Sequence, residues 1–300
     1  MRAIQPTETA CAAIVDYNVT QIHAVWNAAT SYAKGDLVVL DGCGAIVYES
    51  LTSSNVGNDP ETSTLDWLPI GVSNYFAMFD NKIGTQTENA DSINVVVEFT
   101  SIVNAMGLIN LVGSTVQFQV WRADQDYTID TPAFDENIQL RDYGVSSWYE
   151  YVTYIVKQKR NYVNFSIPTF IGGTGRMILN SPGGTAKLGS LIYGSQFIIG
   201  ETLTQVGVGI KDFSTKETDA FGNYQIVERE FNDRITLKVL VENANRLDVK
   251  NFLTDNRATP VLWAGDEDVD VTITYGFYND FTLNINQPAW TDLDLTIESI

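Results

Sequence analysis

The sequence predicts a mainly β, multi-domain protein. Apolar residues alternate with a period of two, or form short runs that end at Gly, Asn, Asp or Pro, and helical spacing is rare. Turn-forming residues are dense between these runs. A chain of 300 residues also exceeds what one hydrophobic core usually holds. We expect a small three-stranded module, then a β-sandwich or jelly-roll-like domain, and then a C-terminal β domain with one helix.

Changes in composition place the domain boundaries after Pro69-Ile70-Gly71 and near Gly200. The predicted parts are therefore 1–20, 21–71, 72–199 and 200–300. Residues 1–20 show little pattern, and we interpret them as an extended N-terminal arm, a conformation that can pair with a neighbouring subunit.

Strand candidates have the lengths that are usual for strands and are bounded by turn residues. They are 36–40, 92–99, 114–122, 148–157, 162–167, 189–193, 224–229, 235–241, 261–263, 269–275, 281–286 and 293–297. Residues 243–256 are different, because Leu247, Phe252 and Leu253 fall near one helical face and Asn and Asp flank the segment. This pattern predicts one amphipathic helix that packs on the last sheet.

The region 26–67 carries the most specific local pattern. Its residues are Trp26, Tyr32, Gly35-Asp36, Val38, Tyr48, Asn55, Gly57, Pro60 and Trp67. In this order they resemble the small chitin-binding type of carbohydrate-binding module. Gly35-Asp36 suits a turn into a strand, with Asp36 accepting backbone N–H groups.

The resemblance implies a carbohydrate site in which Trp26, Tyr48 or Trp67 stacks on a sugar ring. A module of this size also needs bulky aromatics for its own core. The stretch that follows Tyr48 in the family carries exposed aromatics, but here it reads Ser50-Leu51-Thr52-Ser53-Ser54. The module can therefore serve either a structural role in assembly or glycan binding, and the sequence leaves both interpretations open.

The rest of the chain resembles phage proteins. Residues 75–196 are similar in strand order to galactose-binding or jelly-roll sandwiches, and the blocks 211–223, 257–263 and 275–281 resemble proteins of phage tail gene clusters, including distal-tail and hub β domains. The resemblance implies a virion structural protein of a tailed phage, a hub, collar or fibre-attachment component that is assembled in the host cytoplasm. Its expected partners are other tail proteins and copies of itself in a ring or trimer. A carbohydrate-binding host-adhesion protein is the alternative.

No catalytic motif stands out. His23 is the sole histidine, and no GxSxG elbow accompanies it. A phosphate loop is not indicated at Gly172-Gly173-Thr174-Gly175, because no Lys-Ser/Thr follows, and this run predicts a hairpin instead. The acidic run 266–270 lacks the Gly and the Glu that an EF-hand calcium loop requires. We expect a non-enzymatic protein without cofactor or metal. A glycosidase-like carboxylate pair stays open, since its spacing is spatial, and a polysaccharide depolymerase is the least favoured alternative.

The net charge and the length of the apolar runs limit which partners are expected. The net charge of −19 predicts no contact with nucleic acid. Apolar runs are far shorter than the roughly 20 residues that cross a bilayer, so no membrane insertion is expected, and no secretory signal is recognisable.

Cys11 and Cys43 lack metal-ligand spacing and are predicted to be free thiols.

Overall fold

The structure is a computed structural model that describes residues 1–40, 45–142, 147–153, 157–218, 222, 224–267, 269–285 and 289–300. It confirms the prediction of a mainly β fold with several sheets. The first strands are β1 (Arg2–Pro6), β2 (Ile14–Tyr17), β3 (Ala24–Val25), β4 (Leu37–Val39), β5 (Ile46–Ser50), β6 (Trp67–Val72) and β7 (Thr87–Glu98). The next strands are β8 (Ile102–Val103), β9 (Ala105–Val112), β10 (Thr115–Trp121), β11 (Phe134–Gln139), β12 (Arg141–Asp142), β13 (Lys157–Gln158), β14 (Tyr162–Asn164), β15 (Phe170–Ile171) and β16 (Thr174–Ile198).

The last strands are β17 (Glu201–Asp212), β18 (Thr215–Thr218), β19 (Tyr224–Val227), β20 (Phe231–Glu242), β21 (Val261–Ala264), β22 (Ile273–Asn284) and β23 (Trp290–Ser299). The α-helices are α1 (Trp148–Thr153) and α2 (Arg246–Asp255), and short 3-10 helices span Cys11–Ala13, Ala77–Phe79 and Asp270–Thr272. Among the described residues, no helix combines the length and the apolar character needed to span a bilayer.

The main sheet is organised around β16, a strand of 25 residues. Its first half pairs with β10 and β7, its second half pairs with β9 and β7, and its end pairs with β1. Alternate residues of these strands point into one core, which is filled by apolar side chains such as Ile93, Leu108, Phe118 and Leu179. This sandwich-like part is what the alternating pattern of residues 92–122 predicts.

The N-terminal strand joins the two halves of the main sheet. The order β16-β1-β21-β22-β23-β20-β17 places β1 between the end of β16 and the C-terminal strands. Ala3 is paired with both Phe197 and Trp263, and Ala3 and Ile4 are fully buried. The expectation that this segment pairs with a neighbouring subunit is therefore wrong for Arg2–Ile4, because strands of the same chain are paired with these residues on both sides.

The module of residues 24–72 has its own sheet, with the order β3-β4-β5-β6. It contains a fourth strand beyond the three that were predicted, because Ala24–Val25 pairs in parallel with Val38 and Val39. Ala33 N–H donates to the Asp36 carboxylate at 2.7 Å, as predicted for this turn. Gly35 has φ of 91°, a conformation that favours glycine.

The C-terminal strands are covered by α2, which confirms the helix predicted within 243–256 and gives it the bounds Arg246–Asp255. Val249, Phe252 and Leu253 are buried against the sheet. Leu247 was expected on the same face, but it is mostly exposed. Its position five residues before Phe252 turns it well away from that side chain around a helix of 3.6 residues per turn.

Three further predictions need correction. Residues 148–153 form a helix and not a strand, whereas Lys157, the last residue of that predicted strand, begins β13. Residues 154–156 lie outside the described residues. Gly172-Gly173 makes a tight turn with positive φ, but β15 and β16 on either side pair with other strands, so it is no hairpin. Cys11 is disulfide-bonded and not a free thiol. Cys43, the only other cysteine of the sequence, lies outside the described residues, as do Asp268 and Asn286.

Candidate functional site

The three predicted sugar-stacking residues lie in the module. Trp67 is 1% exposed, and its indole N–H donates to the backbone oxygen of Asn58 at 2.9 Å. Its ring meets that of Tyr32 edge to face, with centroids 5.3 Å apart. Tyr48 is 7% exposed and belongs to the same small core.

Burial therefore removes Tyr48 and Trp67 from the surface, and neither ring can offer a face to a sugar. The physical reason is that a module this small has few apolar residues with which to build its core. Trp26 differs, because it packs at the edge of this core and stays half-buried. Its indole N–H is buried and finds no acceptor among the described residues. Trp26 is thus the one predicted sugar-stacking residue whose ring remains partly accessible.

A second aromatic group lies on α1, which we call the aromatic projection and define as residues 147–153. In the sequence it lies between β12 and β13, in which Arg141 pairs with Gln158. Trp148 is 79% exposed and Tyr149 is 77% exposed, while Tyr151 and Val152 are both 69% exposed.

The geometry of this helix aligns two of its rings. Trp148 and Tyr151 are three residues apart, which places them on one helical face. Their ring centroids lie 5.6 Å apart and their planes differ by 15°. The Tyr151 N–H donates to the Ser147 oxygen at 3.0 Å, which holds the turn together. The result is a nearly parallel pair of rings open to solvent.

A third surface is the hairpin formed by residues 208–218 and 224–234. We call this hairpin the arm, and it is distinct from the N-terminal segment 1–20. Val208 is paired with Ile235, and Asp212 is paired with Phe231. Directly paired residues share a face of an antiparallel sheet, and so do alternate residues of one strand. Ile235 is buried in the core, so Val208, Ile210 and Phe231 continue the core-facing side of the sheet past the core itself. All three are more than half exposed.

The outer part of the arm is also apolar. Tyr224 and Ile226 lie on β19, two residues apart and on one face, paired with Thr218 and Lys216 respectively. Both side chains are more than half exposed. Apolar residues therefore follow the arm along most of its described length.

A fourth surface is the groove between α2 and the strands β22 and β23. It has a volume of about 340 Å³ and is lined by Arg246, Leu247, Lys250, Phe281, Leu283, Ile285 and Thr291. Its floor is apolar, and two cations one helical turn apart stand on its rim. Neither Arg246 nor Lys250 is ion-paired with a described residue.

A larger cavity of about 930 Å³ lies where β1, β17 and β21 meet. Carboxylates of Glu201, Glu242, Asp266 and Glu267 line it. Arg2 forms an ion pair with Glu267 at 3.0 Å, and the amino group of Met1 donates to the Gly200 oxygen at 2.5 Å. Burial lowers the pKa of that amino group. The cavity is an acidic cleft at the junction of the two halves of the sheet, and we assign it no ligand.

The aromatic projection, the arm and the groove were not recognised from the sequence. The sequence Trp148-Tyr149-Glu150-Tyr151 predicts a strand, because aromatic residues favour strands. The signal that could have indicated a helix is Ser147, a residue type preferred before a first helical turn, together with the three-residue spacing of Trp148 and Tyr151. The exposure of Leu247 and Ile285 depends on the packing of distant elements, and no local pattern reveals it.

Comparisons of the chain with protein-family models, with curated proteins and with solved structures found no match.

Proposed function

We propose that the chain is a structural subunit of a bacteriophage tail, a hub, collar or fibre-attachment component that assembles with copies of itself and with other tail proteins. The identity of the particle is supported by the sequence blocks 211–223, 257–263 and 275–281, which resemble phage tail proteins. The mode of action, assembly through exposed apolar surfaces, is supported by the surface of the molecule.

The observation that carries the proposal is the aromatic projection. Trp148, Tyr149, Tyr151 and Val152 present four large side chains to solvent within five residues. Leaving such area in water forgoes about 25 cal/mol per Å² of apolar surface. Tyr and Trp are also enriched in the buried centres of protein interfaces. A subunit that places these rings against a neighbour recovers that free energy.

The fold suits a structural subunit whose two halves are held together by one sheet. Because β1 lies between the two halves of the main sheet, the parts on either side are held by one continuous hydrogen-bonded ladder. The arm continues β17 and β20 of this sheet. A ring or trimer of such subunits would place the same surfaces at regular intervals.

The test is mass spectrometry of purified particles, or of an induced prophage lysate, from the source organism. We expect this polypeptide in fixed stoichiometry with capsid and tail proteins, and its copy number relative to portal and tube proteins would distinguish a ring from a fibre base. Its absence from particles that contain all other tail proteins would contradict the proposal.

Host adhesion through a surface polysaccharide is the second candidate. The observation that favours it is the nearly parallel pair of Trp148 and Tyr151, since exposed aromatic faces stack on the apolar face of a pyranose ring. Glycan-array binding should then be lost in Trp148→Ala, and Trp26→Ala is the matched control from the module. Loss in Trp26→Ala alone would assign binding to the module, and no binding by the wild type would exclude both sites.

A further inference from the structure

We infer that the arm of one copy docks into the groove of a second copy, so that the subunits join head to tail. This inference rests on the proposed self-assembly and adds a second contact to the one that the aromatic projection makes.

The arm needs a cover that its own chain does not supply. Val208, Ile210 and Phe231 lie on the same side of the sheet as the buried Ile235, yet all three are more than half exposed. The apolar pattern of the core is thus continued on side chains that stay mostly exposed to solvent. Such a continuation is typical of a surface that is buried in an assembly.

The groove offers a complementary surface. Leu247, Phe281, Leu283 and Ile285 supply an apolar floor of the same character as the arm. Arg246 and Lys250 add positive charge at the rim, in a chain whose net charge is −19. A second copy is therefore a partner rich in the carboxylates that these two cations lack.

Carboxylates stand on the apolar face of the arm itself. Asp233 is paired with Ile210, and Asp212 is paired with Phe231, so both share that face. The Asp233 carboxylate is exposed and forms no ion pair with a described residue. Asp212 lies 3.4 Å from its own Lys216. Apolar residues with interspersed carboxylates match an apolar floor with cations on its rim.

The position of the two surfaces requires a second copy. Phe231 begins β20 at the arm, and Glu242 ends β20 just before α2 and the groove. A strand of 12 residues spans about 36 Å. The arm therefore points away from the groove of its own chain. A contact between two different surfaces of identical copies is heterologous, and it closes into a ring or continues as a filament.

The first test mixes two cysteine variants, Ile226→Cys on the arm and Leu247→Cys in the groove, under mild oxidation without reductant. We expect a cross-linked dimer from the mixture and only monomeric chains from either variant alone on a denaturing gel. The matched control pairs Ile226→Cys with Ile129→Cys, an exposed site on the sandwich. Equal cross-linking in that control, or a dimer formed by Ile226→Cys alone, would overturn the inference.

The second test reverses charge. Arg246→Glu with Lys250→Glu should raise the dissociation constant of the assembly about tenfold or more, the factor that corresponds to about 1.4 kcal/mol. Adding Asp233→Lys should recover part of that affinity. If the wild type assembles but neither the charge reversal nor the cross-link has an effect, the arm contact is excluded and the proposed assembly stands. If the wild type does not assemble at all, both are contradicted.

Discussion

Phe197 and Phe252 stack face to face, with ring centroids 4.2 Å apart and planes that differ by 2°. Phe197 lies near the end of β16, and Phe252 lies on α2. Phe252 also meets the ring of Trp263 edge to face at 6.2 Å. The stack thus connects the long strand of the sandwich-like part to the helix that covers the C-terminal strands, next to the point where β1 enters the sheet.

Replacing Phe252 by Ala should destabilise both halves of the main sheet together. Loss of a buried aromatic ring costs about 3 to 5 kcal/mol, and the shared sheet should transmit that loss as one transition. Denaturant unfolding followed by circular dichroism measures it. The matched control is Asn251→Ala on the same helix, where the exposed side chain predicts little change. Two separate transitions in the Phe252 variant would show that the halves unfold independently.

Gly194→Ala should expel β1 from the sheet. A Cβ atom at Gly194 would lie 2.0 Å from the backbone oxygen of Gln5, and backbone cannot move aside as a flexible side chain can. We expect a loss of about 3 kcal/mol and faster hydrogen exchange at Ala3 and Ile4. Gly209→Ala is the control, because a Cβ atom there meets nothing within 4 Å. Unchanged exchange at Ala3 would contradict the structural role given to β1.

Trp67→Ala should unfold the module and leave the main sheet intact. Trp67 is the largest fully buried side chain of a small core that is separate from the main sheet. Removing its ring should cost about 3 to 5 kcal/mol, which exceeds the stability expected of so small a core. The expected result is disorder confined to residues 24–72 in exchange mass spectrometry. Leu65→Ala, at an exposed site nearby, should leave the pattern unchanged. Simultaneous loss of protection in β20 and β23 would show that the module supports the main sheet.

Stability should fall at alkaline pH because of buried tyrosines. Burial raises the pKa of Tyr275 to about 12, and it also raises the pKa of Tyr193. Since the unfolded value is about 10, the neutral form of Tyr275 contributes stability that is complete below about pH 10 and is lost as pH rises toward about 12. Denaturant midpoints across this window measure the loss.

Tyr275→Phe separates this titration from packing. At neutral pH it removes the bond from the Tyr275 hydroxyl to Asn81 Oδ1, which is 2.8 Å long, at a cost of about 1 kcal/mol. Between about pH 10 and 12 the variant should lose less stability than the wild type does. An equal loss of stability in the two proteins would mean that folding does not raise the pKa of Tyr275.

Local patterns predicted much of the fold. The alternation in 92–99 and 114–122 and the helical spacing in 243–256 each correspond to an element of the right type. These segments are long and bury one face, so local sequence reflects their packing. The strand Arg2–Pro6 could not be placed in this way, because its partners, such as Phe197 and Trp263, lie about two hundred residues away or more.

The candidate site was less predictable than the fold. Aromatic residues gave the right elements in the module but the wrong surface, since the pattern that ends at Trp67 does not distinguish a core ring from a binding ring. At Trp148 the strand preference of aromatics was overridden, because no described strand pairs with 148–153 and the backbone satisfies itself locally instead.

The most direct test of the account is the mass of the purified protein in solution, by light scattering, for the wild type and for Trp148→Ser with Tyr151→Ser. Both sites are exposed, so stability should change by less than about 0.5 kcal/mol each, and Ile129→Ser is the exposed control. We predict a wild-type mass of at least twice the 33.3 kDa of one chain and a shift toward the single chain in the double variant alone. A single-chain mass for the wild type at every concentration would contradict the account.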